Sequence, residues 1–105
     1  MIIRSAVLEG SVPAADRAAF DRHMQTKVRA AIATYPGITE VRLRWPAETE
    51  AGAPPIHVIF DLYFPDLATM HAALASETRQ QVRAMIAEAM PMFHGRVYHL
   101  IMRQE

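Results

Sequence analysis

Two runs of strict alternation flank a stretch that no strand can cross. In Ile38 to Trp45, Val41, Leu43 and Trp45 alternate with Glu40, Arg42 and Arg44, so a strand there has one apolar and one charged face. In Ile56 to Phe64, Ile56, Val58, Phe60, Leu62 and Phe64 alternate with His57, Ile59, Asp61 and Tyr63. Between them Pro46 to Pro55 reads PAETEAGAPP, whose prolines and Gly52 fit an exposed hairpin loop.

A hairpin with one oily face must be covered, and the flanking segments supply amphipathic helices. Upstream, Ile2 to Leu8 reads as a first strand that stops at Gly10. Ser11, Pro13 and Asp16 then open a helix with a capping hydroxyl, a first-turn proline and an acid at the positive end of the dipole. Phe20, Met24, Val28 and Ile32 recur at spacing four, with Ala31 and Tyr35 widening the stripe, until Pro36-Gly37 ends it. Downstream, Pro65-Asp66 caps a short helix with Leu67, Met70 and Leu74. Ser76 starts another, carrying Val82, Met85, Ile86 and Met90 before Pro91. Arg96 to Met102 is a final strand whose faces are both mixed.

The order strand, helix, strand, strand, helix pair, strand predicts an α+β, ferredoxin-like split βαβ protomer with a four-stranded antiparallel sheet. Right-handed crossovers put all helices on one sheet face. The expected opposite face carries Arg42, Arg44, His57, Ile59, Asp61 and Tyr63, with Ile2, Arg4 and Ala6 of the first strand. Arg42, Arg44, His57 and Asp61 are the residues expected at a homodimer interface, where opposite charges pair across a two-fold axis. At 105 residues the core is small, and pairing is a cheap way to hide more apolar area.

Residues 1–105 are read as a single domain. Eleven Lys and Arg balance eleven Asp and Glu, which argues against nucleic acid and anionic membranes as partners. With no cysteine, disulfide scaffolds and thiol chemistry are excluded. Neither a signal peptide nor an apolar run of membrane length is present, so a cytoplasmic location is expected.

The segments Phe20-Asp21-Arg22-His23-Met24, Tyr35-Pro36-Gly37-Ile38, Phe60 to Phe64 with Asp66 to Met70, and Met92-Phe93-His94-Gly95, in this order of elements, resemble the EthD-like family of dimeric α+β barrels. The resemblance spans nearly the whole chain. It implies a protomer whose sheet pairs with a partner's to close an eight-stranded barrel. Relatives look like accessory proteins of cytochrome P450 systems in ether degradation, or metal-free dehydratases and decarboxylases of polyketides. Broader relatives include cofactor-free monooxygenases, lactone isomerases and haem-binding enzymes. The family pattern carries a histidine late in the first helix; Thr26 to Ala30 has none here, and His23 stands a turn or more earlier.

The five histidines, His23, His57, His71, His94 and His99, never fall three or four apart, so no helix presents a zinc pair and no metal site is expected. A haem protein would rest on a lone ligand, His71 or His94. No GxSxG or Gly-rich phosphate loop occurs, and no cofactor is expected. General acid/base work falls to His23, at the edge of the helix stripe, and to Tyr63. His57 and Asp61 stand about 13 Å apart along one strand and form no dyad within it. Phe20, Met24, Trp45, Phe60 and Phe93 are the expected walls of an apolar pocket for a small hydrophobic molecule. With such a pocket, the resemblance implies two functions: a cofactor-independent oxidoreductase, lyase or isomerase, and a non-catalytic accessory or carrier dimer serving an oxygenase partner.

Overall fold

The computed structural model describes residues 1–105. Strand β1 (Ile2–Ser11) leads into α1 (Ala14–His23), a π-helical turn (Met24–Val28) and α2 (Arg29–Ile32), which run on as one rod. Strands β2 (Glu40–Arg44) and β3 (Ile56–Phe64) form the hairpin; α3 (Leu67–Leu74), α4 (Thr78–Ala89) and a 3-10 turn (Met90–Met92) lead to β4 (His94–Arg103). The sheet order is β2-β3-β1-β4, antiparallel at every pairing. This is the ferredoxin-like α+β protomer that the pattern predicts. No helix is long and apolar enough to cross a membrane.

The π turn explains how a spacing of four stays buried along a whole helix. At 3.6 residues per turn, positions four apart drift around the axis by about 40° per step. The wider turn from Met24 to Val28 takes up that drift, so Phe20, Met24, Val28 and Ile32 all remain at 4% exposure or less. Thr26 assists: its hydroxyl donates to the Arg22 carbonyl at 2.7 Å, competing with the backbone for that acceptor. Pro36-Gly37 then ends the rod, with Gly37 at φ +78, a left-handed conformation that favours glycine.

Val58, Phe60, Leu62 and Phe64 of β3 face the helices, all 3% exposed or less. Their partners on β1 are Leu8, Ala6, Arg4 and Ile2, which corrects the expectation that Ile2, Arg4 and Ala6 lie on the outer face. The β1 sequence is apolar at both phases, so its orientation is set by pairing and not by its own alternation. Ile3, Ser5 and Val7, opposite Tyr63, Asp61 and Ile59, take the outer face instead.

His57 is the second correction. Leu8 pairs with Val58 but Glu9 with Ile56, so the ladder shifts and His57 is the extra residue of a β-bulge. A bulge re-aims a side chain, and the His57 ring turns in among the helices. It packs edge-on to Phe20, which is fully buried, and to Trp45.

Candidate functional site

Between sheet and helices lies a cavity of about 190 Å³. Its floor is Ala6 and Leu8 of β1 with Phe60 and Leu62 of β3. Its roof is Met24 and Val28 of the π turn, Ile32 of α2, and Val82 and Ile86 of α4. Val97 lines it from β4 while staying 40% exposed, so the cavity opens at the edge strand. Every lining residue except Arg4 and His99 is hydrophobic.

The polar groups at this cavity are Arg4, Tyr35 and His99. His99 pairs with Ala6, which sets it diagonally from Arg4 on the helix-facing side of the sheet. His99 stays exposed on the edge strand, yet partial desolvation against the sheet, then the charges of Arg4 and Arg79, push its imidazole down to about 4, so it is neutral at physiological pH. Burial raises the Tyr35 phenol, against the pull of Arg4, Arg79 and Arg83, and keeps it a protonated donor. Burial also lowers the Arg4 guanidinium, helped by Arg79 and Arg83; an arginine remains a cation throughout.

The nominated acid/base residues are not brought together. His23 sits between α1 and α4, its Nε2 donating to the Met85 carbonyl at 2.6 Å with a Glu88 oxygen at 3.6 Å. It does not line the cavity, because the carbonyl of the neighbouring helix holds the ring. Tyr63 lies on the other face of the sheet, with the Arg42 guanidinium 5.6 Å above its ring. It lines a shallow groove there with Ser5, Arg44 and Asp61.

The nominated walls divide in two. Met24 and Phe60 line the cavity. Phe20 and Trp45 instead meet the His57 ring edge-on, and Phe93 stacks on Phe20 at 6.0 Å. His57 Nε2 and Asp21 Oδ1 share a hydrogen bond of 2.6 Å, a contact between β3 and α1 that strand spacing alone does not reveal.

Of the nominated interface residues, Arg42, Arg44 and Asp61 share the outer face, while His57 is on the inner one. Asp61, 4% exposed, accepts from Ser5 Oγ at 2.7 Å and from Arg44 Nε at 2.6 Å. Its carboxylate is thereby satisfied within one chain. Arg42 pairs with Glu40 at 2.7 Å in the open, an arrangement worth little. No three His, Asp or Glu side chains come together in a way that would hold a metal ion.

Arg4, Tyr35 and His99 are the residues that sequence reasoning missed. Arg4 carried a signal, as the one charge inside Ile2 to Leu8. Tyr35 reads as part of the helix stripe, and His99 lies in a strand without alternation.

No protein-family model matches this chain, and no curated protein does. Solved structures do. An EthD family protein from Bacillus halodurans superposes with a TM-score of 0.75 at 16% identity, covering 100% of both chains. An antibiotic biosynthesis monooxygenase gives 0.69 at 12% identity over 100% of this chain and 99% of that one. A dabb family protein with a ferredoxin-like fold from Mesorhizobium loti gives 0.68 at 12% identity, over 99% and 97%. At these identities the likeness establishes the fold.

Proposed function

We propose that this chain is a small-molecule-binding protein of the EthD and antibiotic biosynthesis monooxygenase kind, taking a small hydrophobic metabolite into the cavity under β4. The observation that carries this reading is the cavity itself: apolar floor and roof, few polar groups, and a mouth at the sheet edge. Met24, Ile86 and Met90 make its walls adaptable. Binding is favoured over acid/base catalysis by His23, whose ring is held by a backbone carbonyl outside the cavity. A titration with ethylbenzene, followed by amide chemical shifts, tests it. Saturable shifts at Ala6, Val28 and Phe60 are expected; no saturable shift there overturns the reading.

The working unit we propose is a homodimer, closed through β4 and the outer sheet face. Supporting this, β4 is an edge strand on which Val97, Leu100, Ile101 and Met102 are 40 to 51% exposed. An edge that is both unpaired and apolar is normally covered. Sedimentation at micromolar concentration is expected to give about twice the 11.8 kDa chain mass, falling to one chain mass in Leu100→Asp. A single-chain mass for the unaltered protein overturns the dimer.

A further inference from the structure

Arg4 is out of keeping with its surroundings. It stands on the helix-facing side of a central strand, opposite Leu62, in a cavity walled by hydrocarbon apart from His99 and the Tyr35 hydroxyl. A guanidinium taken partly out of water is costly unless an anion or good acceptors meet it. The chain has eleven acids, yet none pairs with Arg4; those that pair with arginine serve Arg42, Arg44, Arg96 and Arg103. Arg79 and Arg83 of α4, whose charges act on Arg4, form no ion pair either. One end of the cavity thus holds a net positive field with no counter-charge of its own.

The neighbouring groups complete an anion site. The Tyr35 hydroxyl has no hydrogen-bond partner in the chain, yet no side-chain polar atom is buried without one, so the hydroxyl reaches open space. Burial keeps it protonated, which makes it a donor. Arg4 presents a planar fork suited to two parallel bonds with a carboxylate.

The volume limits the other end of the ligand. A dry cavity of about 150 Å³ accepts benzene, so about 190 Å³ has room for one ring and a short substituent. We propose that the cavity is a site for a small aromatic carboxylate, its carboxylate on Arg4 and Tyr35 and its ring among Met24, Val28, Phe60 and Ile86. This assignment rests on the small-molecule reading above and names its ligand class.

Calorimetric titration with para-ethylbenzoate and with its neutral isostere para-ethylbenzamide separates the two. The benzoate is expected to bind at least about tenfold tighter than the amide, the scale of a charge-assisted bidentate contact. Arg4→Met keeps the aliphatic stem and is expected to erase that preference. Arg4→Lys, which retains the charge should the methionine variant not fold, is expected to keep part of the preference, and Tyr35→Phe to reduce it. Equal binding of both probes by the unaltered protein overturns the carboxylate assignment and leaves the cavity reading standing. Binding of neither probe overturns the cavity reading, and the assignment with it.

Discussion

The Arg44 guanidinium straddles the Asp61 carboxylate, Nε to Oδ2 at 2.6 Å and Nη2 to Oδ1 at 3.2 Å, across the β2/β3 pair. Ser5 donates to the same carboxylate from β1, so one buried side chain ties three adjacent strands. Asp61→Ala removes both partners' acceptor, leaving the Ser5 hydroxyl buried and unpaired. Hydrogen bonds to charged groups contribute about 1.5 to 3 kcal/mol, and the variant is expected to lose about 2 kcal/mol in urea unfolding. Arg44→Ala leaves the buried Asp61 carboxylate with Ser5 as its remaining side-chain partner, and a buried charge stripped of its counter-ion is costly, so its loss is expected to be at least as large. A clearly smaller loss for Arg44→Ala would show that Ser5 alone satisfies the carboxylate.

His57 joins the bulge in β3 to α1 through Asp21 and fills the space between Phe20 and Trp45. His57→Ala removes an aromatic contact on each side and a 2.6 Å hydrogen bond. Aromatic pairs contribute about 0.5 to 1.5 kcal/mol each, so a loss of about 2 to 4 kcal/mol is expected, with the cavity that truncation leaves adding to it. His57→Phe keeps the ring contacts and loses only the bond to Asp21, and is expected to recover about half. Were the phenylalanine variant as unstable as the alanine one, the Asp21 bond would be the main contribution.

These two networks mark how far sequence reading goes. Alternation in β2 and β3 is enough to assign their inner and outer rows, because each row differs sharply in polarity. It misplaces His57 because one inserted residue reverses the phase, and a bulge leaves no mark on composition. It misplaces Arg4 because Ile2, Arg4, Ala6 and Leu8 compete with Ile3, Ser5, Val7 and Glu9 on nearly equal terms. Only the register against Phe60 and Leu62 decides between them. The acid/base candidates lie outside the cavity for another reason: whether His23 reaches it depends on the neighbouring helix and its Met85 carbonyl, a long-range contact. The cavity polar groups come from β1, β4 and the turn after α2, three places that no local spacing connects.

His99 gives the fold a pH dependence of definite sign. Partial desolvation first, then Arg4 and Arg79, lower its imidazole from 6.5 to about 4, an effect that solvent weakens because the side chain stays exposed on the edge strand. As pH falls through that window the unfolded chain takes up a proton that the folded chain refuses. The contribution of His99 to stability is therefore full above about pH 6.5, declines towards pH 4 and is flat below. Arg4 faces it diagonally from β1, and Arg79 acts on it from α4. His99→Gln is expected to be less destabilised than the unaltered protein on going from about pH 7 to about pH 4.5. Parallel urea midpoints for the two proteins across that range would remove His99 as the source.

Filling the cavity separates its function from its role in folding. Ile86 lines it from α4 and is only partly buried, so a larger side chain there has room to turn without displacing the buried Val28 or Phe60. Ile86→Phe places a ring where the ligand ring would lie, much as bound arenes occupy dry cavities. Packing of the new ring against Met24 and Phe60 offsets the strain of the larger side chain, and stability is expected to change by less than about 1.5 kcal/mol. Binding of ethylbenzene is expected to vanish, because a cavity of about 190 Å³ does not hold two rings. Thermal unfolding checks the first expectation and amide shifts on titration check the second. Retained ethylbenzene affinity in a folded Ile86→Phe variant would place the binding site elsewhere on the molecule.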